Sequence, residues 1–258
     1  MLDILVNVGS AADSGALDYA LAMAAQHQAF LTGLQIVPVC PSLITTPEEL
    51  NSFDALEKAA SARRDWWLAR CAKAGVRGGW EVMRGTYINS LARRSRLADL
   101  SIVDLSTRHS LLPVDFDDLS RALLSGTGPL LTVPDGWDDE WQARRINIAW
   151  NGSGEATRAA KAALPLLLRA EAVQVLDGEP AGVPGFTPSP LRFRDWLRHH
   201  GVEAAWQPFH TNQGTGPAMI EAAKEFDADL LVMGAWGQTR LAELVLGGAT
   251  RHLLRHAD

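Results

Sequence analysis

Four glycines near the end of the chain are the residues best suited to chemistry. Gly234 and Gly237 have two residues between them, nine more separate Gly237 from Gly247, and Gly248 follows directly. Glycine has no Cβ, so its backbone amides can approach a ligand closely and its φ can be positive. Residues 230–233, LLVM, form an apolar run just before Gly234, the content of a short strand buried on both faces. From Gly248 the pattern turns helical, with Leu253 and Leu254 on one side. A glycine loop between a strand end and a helix start is a ready anion site, because the first-turn N–H groups have no partner inside the helix. The competing reading is a tight turn that only joins strand to helix.

Other reactive residues carry weaker patterns. His252 and His256 lie one helical turn apart, a spacing that can bind zinc. The zinc-protease pattern requires Glu after the first His, and Leu253 stands there. With Arg251 and Arg255 alongside, the pair reads as a cationic helix end. Ser106, Thr107 and His109 could suggest a nucleophile, but no G-x-S-x-G elbow accompanies them. The P-loop pattern is also missing from the sequence. Cys40 and Cys71 form no CxxC pair and read as free thiols in a reducing compartment.

The elements that must position these residues repeat. Strands are expected at residues 4–8, 31–39, 80–83, 100–105 and 130–133. Helices are expected from residue 17, over 47–74 as one long helix, and over 87–97 and 116–124. Residues 135–144, DGWDDEWQAR, are polar and acidic and read as a linker. The scheme then restarts, with strands at 146–150, 173–176, 204–209 and 230–233. Helices over 155–168 (with Pro165 as a kink), 191–200, from 215 and from 248 fall between and after them. Residues 179–190 are rich in Gly and Pro and read as a loop. Strands alternating with helices predict an α/β fold of two doubly wound parallel sheets. The pairs ILVNVGS and INIAWNGS, and ADLSIVDLS and ADLLVMGAWG, mark an internal duplication. The two domains are expected at 1–134 and 145–258. The first ends in a fifth strand; none is expected in the second before residue 258, either because the chain is clipped there or because the unit lacks that strand.

Composition bounds the function. Of 258 residues, 47% are hydrophobic and 21% charged, as in ordinary globular proteins. The formal charge of −6 argues against a general nucleic-acid surface. No apolar run reaches the length of a membrane span, and MLDILVNVGS reads as a first strand with no basic leader region. The expected location is the cytoplasm, with neither nucleic acid nor membrane as partner.

The stretch from residue 228 to 254 resembles the universal stress protein family, which carries G-x2-G-x9-G-Ser/Thr after its fourth strand and cradles the ribose and phosphates of ATP there. Gly234, Gly237 and Gly247 fit the spacing, while Gly248 stands where the family usually has Ser or Thr. The resemblance covers essentially the whole chain as a tandem, strong in the second half and weak in the first. It implies a Rossmann-like unit binding an adenine nucleotide, with Mg2+ as a candidate companion. Asn151, followed by Gly152, stands where the family usually has an Asp that contacts the adenosine portion; the alternative for Asn151 is a cap on the next helix. The main chain near Val175 and Leu176 would meet the adenine edge. Met233, Gly234, Gly237, Gly247, Gly248, Ala249 and Thr250 would surround the phosphates. In the first half no glycine matches Gly234 or Gly237, which reads as a degenerate, structural unit or a partner surface.

The expected function is a stress-response protein holding ATP or a related adenine nucleotide in its second domain, acting through conformation or partner binding and not as an enzyme. The alternatives are a slow ATP hydrolase or phosphotransferase, with Glu243 as a candidate base, and a nucleotide-free scaffold with a vestigial loop. The two halves are expected to pair within the chain as the family's dimers do, and a homodimer could form through the open second edge. The sequence names no protein partner.

Overall fold

The computed structural model describes residues 2–9, 14–39, 47–104, 128–134, 143–178, 191–210, 214–235 and 248–256. Contacts divide the chain into two compact units, Met1–Trp141 with Asp258, and Gln142–Ala257. The expected helix at 116–124 and the expected loop at 179–190 lie outside the described residues.

The first unit contains β1 (Asp3–Asn7), α1 (Gly15–His27), β2 (Phe30–Pro38), α2 (Pro47–Ala62), α3 (Arg64–Lys73), β3 (Arg77–Gly85), α4 (Tyr87–Ser95), β4 (Leu100–Asp104) and β5 (Leu130–Val133). Its strands pair in parallel in the order β3-β2-β1-β4-β5. The second unit contains β6 (Arg145–Trp150), α5 (Gly154–Leu167), β7 (Ala172–Asp177), α6 (Phe193–His199), β8 (Ala205–Pro208), α7 (Thr215–Glu225), β9 (Leu230–Met233) and α8 (Gly248–His256). Its order is β8-β7-β6-β9, again parallel. The doubly wound α/β class expected from the alternation is therefore present twice. Among the described residues the second sheet has four strands, and the chain is helical through His256. Pro165 lies inside α5.

The single helix expected over 47–74 is two. Arg63 separates them: its amide bonds back to the Ala60 carbonyl at 3.2 Å, a tight three-residue turn, and its own carbonyl accepts from Trp67 at 3.0 Å to start α3. The break drives Trp67 into the core, where it is fully buried. The ring fits only because Gly33 lies beneath it; a Cβ on Gly33 would stand 2.7 Å from the Trp67 ring and 2.9 Å from that of Trp80. At the end of α3, Gly75 has φ +69°, the left-handed conformation that terminates helices.

One device fixes the register of both units. The Asp99 carboxylate accepts the amides of Leu2 and Asp3, at 2.6 and 3.0 Å. The Asp229 carboxylate accepts those of Arg144 and Arg145, at 2.9 and 3.1 Å. Each aspartate precedes the fourth strand of its unit and holds the entry to the first. The match makes Gly9 the counterpart of Asn151 and Val8 that of Trp150. Core volumes compensate across the repeat. Gly33 with Trp67 in the first unit becomes Val175 with Phe193 in the second, where Phe193 stacks on Trp150 at 3.9 Å between ring centroids.

Candidate functional site

In the second sheet β6 pairs with β7 on one side and β9 on the other, so the strand order reverses at β6. Ligands of open α/β sheets bind beyond the carboxyl ends of the strands at such a reversal. Asn151, Gly152, Met233 and Gly234 all stand there. Gly152 has φ +73°, which a glycine adopts without strain.

The turn after β6 is built by side chains. Asn151 Oδ1 accepts the Ser153 amide at 3.1 Å, closing an Asx turn. Ser153 Oγ accepts the Ala156 amide at 3.2 Å and is the N-cap of α5. Asn151 is therefore not the cap that one sequence reading made it; it orients the residue that is. Ser153 was the missed residue, and its signal was a hydroxyl just ahead of the helical run. Asn151 as a whole is half-exposed beside the crevice.

Gly234 does something the glycine spacing did not reveal. A Cβ there would lie 2.6 Å from the Ala156 amide nitrogen and 2.8 Å from the Glu155 carbonyl carbon. The absent side chain lets the end of β9 touch the first turn of α5. Ala235, one residue on, is tied to the other helix: its carbonyl accepts the Thr250 hydroxyl at 2.9 Å. Thr250 is in the first turn of α8 and buried. Its single proton is committed to the loop, so Thr250 braces the site and does not replace the hydroxyl missing at Gly248. Gly248 is the first residue of α8, and Ala249 behind it is half-buried. Gly237 and Gly247 lie outside the described residues, as do Glu243, Ser106, Thr107, His109 and Cys40.

Leu176 and Val175 lie one and two residues before Asp177, the last paired position of β7. Both are buried within β7, in register with β6 on one side and β8 on the other. Their backbone groups belong to the ladder. Asp177 is paired on both sides as well, and β7 ends at Gly178, whose amide bonds to the Trp150 carbonyl at 2.8 Å. The strand-end position in β7 is therefore Asp177–Gly178.

His252 and His256 have ring centroids 4.5 Å apart, and His252 packs against α7, where a Cβ on Gly216 would stand 2.6 Å from the His252 Cβ. Among the described residues no group of three or more His, Cys, Asp or Glu side chains could hold a metal ion. Burial pushes the Cys71 thiol up to about 11, so it stays protonated and inert at neutral pH. No helix among the described residues is long and apolar enough to cross a membrane.

A parallel sheet reversing order at its first strand, present twice, defines a tandem of Rossmann-like units. The universal stress protein family model matches residues 207–258, which hold the end of β8 together with α7, β9 and α8. A universal stress protein from Archaeoglobus fulgidus aligns over 98% of this chain and 93% of its own, with a TM-score of 0.71 at 12% identity. A putative universal stress protein from Pseudomonas aeruginosa aligns over 97% and 88%, with a TM-score of 0.59 at 16% identity. No curated protein matches the sequence. The end of the second unit thus matches the family model, and the fold of these universal stress proteins, two parallel-sheet units in tandem, extends along the whole chain.

Proposed function

We propose that the second unit binds ATP or another adenine nucleotide at the reversal between β6 and β9. One observation carries the reading. The end of β9 meets the first turns of two helices at once, α5 through Gly234 and α8 through the Thr250–Ala235 bond. Amides at helix starts lack internal partners and carry the positive end of the helix dipole, so their convergence favours an anion such as a phosphate chain. The ribose and base would lie toward Asn151 and Asp177–Gly178, with Mg2+ accompanying the phosphates. The nucleotide would act through conformation or partner binding, not turnover, in a cytoplasmic stress response.

Calorimetry with ATP tests this, together with mass spectrometry of whatever small molecule the denatured protein releases. The expected result is one site per chain, lost in Gly237→Val and in Gly247→Val. Two equivalent sites, or binding that survives both substitutions, would refute it.

The Gly234 contact also favours a second reading. A glycine required by helix packing would be retained in a scaffold that holds no nucleotide. A chain that neither co-purifies with an adenine nucleotide nor takes one up at millimolar concentration would support that reading instead.

A further inference from the structure

The first unit has the same crevice in outline, since its strand order also reverses, at β1. There the chain meets the strand end with a side chain of its own. Arg63 Nη1 donates to the Gly9 carbonyl at 2.6 Å and to Gln35 Oε1 at 2.9 Å. Gly9 is the counterpart of Asn151. Gln35, next to Leu34 of the β1–β2 register, is the counterpart of Asp177. The guanidinium carbon stands 4.6 Å from the centroid of the Trp66 ring and 5.7 Å from that of Trp80. Trp80 is itself held, its indole N–H donating to the Ala60 carbonyl at the end of α2 at 2.9 Å. Carbonyl oxygens at its edge and aromatic rings on its face are what a planar guanidinium binds best.

Between the matched positions Leu34 and Trp67 the first unit is sixteen residues longer than the second is between Leu176 and Phe193. Arg63 sits at the junction of α2 with α3, the point to which this extra length leads. On the other side of β1, Asp104 occupies the place of Gly234, so a carboxylate stands where the second unit has no side chain.

We propose that Arg63 is the built-in occupant of the first unit's crevice, a guanidinium site filled by the chain itself and closed to nucleotide. That the site holds a guanidinium is independent of the second unit's ligand; only the exclusion of nucleotide rests on the reading proposed above.

Chemical rescue tests it in the full chain. Arg63→Ala should melt roughly 4 °C below the parent. Low-millimolar guanidinium chloride should then raise its melting temperature saturably, while sodium chloride and urea at equal concentration should not. The parent should show no such rise. Absence of a saturable rise in the variant, or an equal rise in the parent, overturns the proposal. Should Arg63→Ala fail to fold, the parent itself decides through the side-chain nitrogen resonances of Arg63, assigned from the backbone. Restricted rotation about the Nε–Cζ bond is expected, and free rotation overturns the proposal. ATP calorimetry on the parent separates the two readings. Two sites per chain would overturn the exclusion, whereas no site at all would remove the second-unit reading and leave the rescue result standing.

Discussion

Gly234 touches the first turn of α5 so closely that a Cβ on it would lie 2.6 Å from the Ala156 amide nitrogen. The neighbours are backbone atoms and the Cβ of Glu155, none of which can swing aside. Gly234→Ala should therefore force β9 and α5 apart and cost the second unit about 2–3 kcal/mol. Thermal or urea unfolding of the variant reads the loss. A variant as stable as the parent would mean that Gly234 is there for a ligand and not for packing.

The two register aspartates should titrate in opposite directions. The Leu2 and Asp3 amides hold the exposed Asp99 carboxyl below the ordinary carboxylate value, the Leu2 amide contributing most. Burial pushes Asp229 above that value, outweighing its own two amide bonds. For Asp99 the native state binds fewer protons than the unfolded chain. Its stabilisation is complete above the ordinary value and is lost as pH falls through the native one. For Asp229 the native state binds more protons, so its contribution weakens as pH rises from the ordinary value through the native one. Carboxyl-carbon NMR should find Asp229 protonating at a higher pH than Asp99; the reverse order would contradict the burial argument.

A polar residue sits where the first unit is apolar. Asn147 is fully buried in β6 at the position of Leu5, and donates to the Ala222 carbonyl at 3.3 Å. Its Oδ1 and the Oε1 of Gln174, its register partner in β7, are buried without hydrogen-bond partners among the described residues. The Ala222 carbonyl also accepts the Phe226 amide, so it would keep a partner if Asn147 were lost. Asn147→Leu should therefore raise the stability of the second unit by about 1–2 kcal/mol. A fall in melting temperature would mean that internal water satisfies the pair.

Alternation of apolar runs with helical spacing carried the architecture, because buried parallel strands must be apolar and their stops fall at Gly and Pro. β5 and β9 fell where the apolar runs put them. What stayed hidden depends on partners far along the chain. Asp99 and Asp229 look like ordinary turn residues until the start of each first strand is folded against them, and only the repeated Ala-Asp-Leu hinted at a shared role. The break at Arg63 has neither Gly nor Pro to announce it; the carbonyl of Gly9, 54 positions away, is what the arginine meets. At the candidate site, Gly234 was found from spacing but for an incomplete reason. At Val175 and Leu176 the apolar run does not say where the ladder ends; pairing carries it on through Asp177.

Thr250 separates bracing from ligation. It is the third residue of α8, 7% exposed, and its hydroxyl reaches the Ala235 carbonyl 15 positions earlier. Thr250→Val keeps the shape and removes the proton, leaving that carbonyl without its partner. The loss should cost about 1–2 kcal/mol of stability in the second unit. Hydrogen exchange at Ala235 and through the first turn of α8 should quicken, because the strand end is no longer tied to the helix start. ATP affinity should fall as a consequence, since the two sets of amides no longer hold their spacing. Thr250→Ser restores the proton and should restore both quantities. If Thr250→Val keeps the parent's stability and exchange rates but loses ATP affinity, the hydroxyl contacts the nucleotide directly, and the bond to Ala235 is not its function.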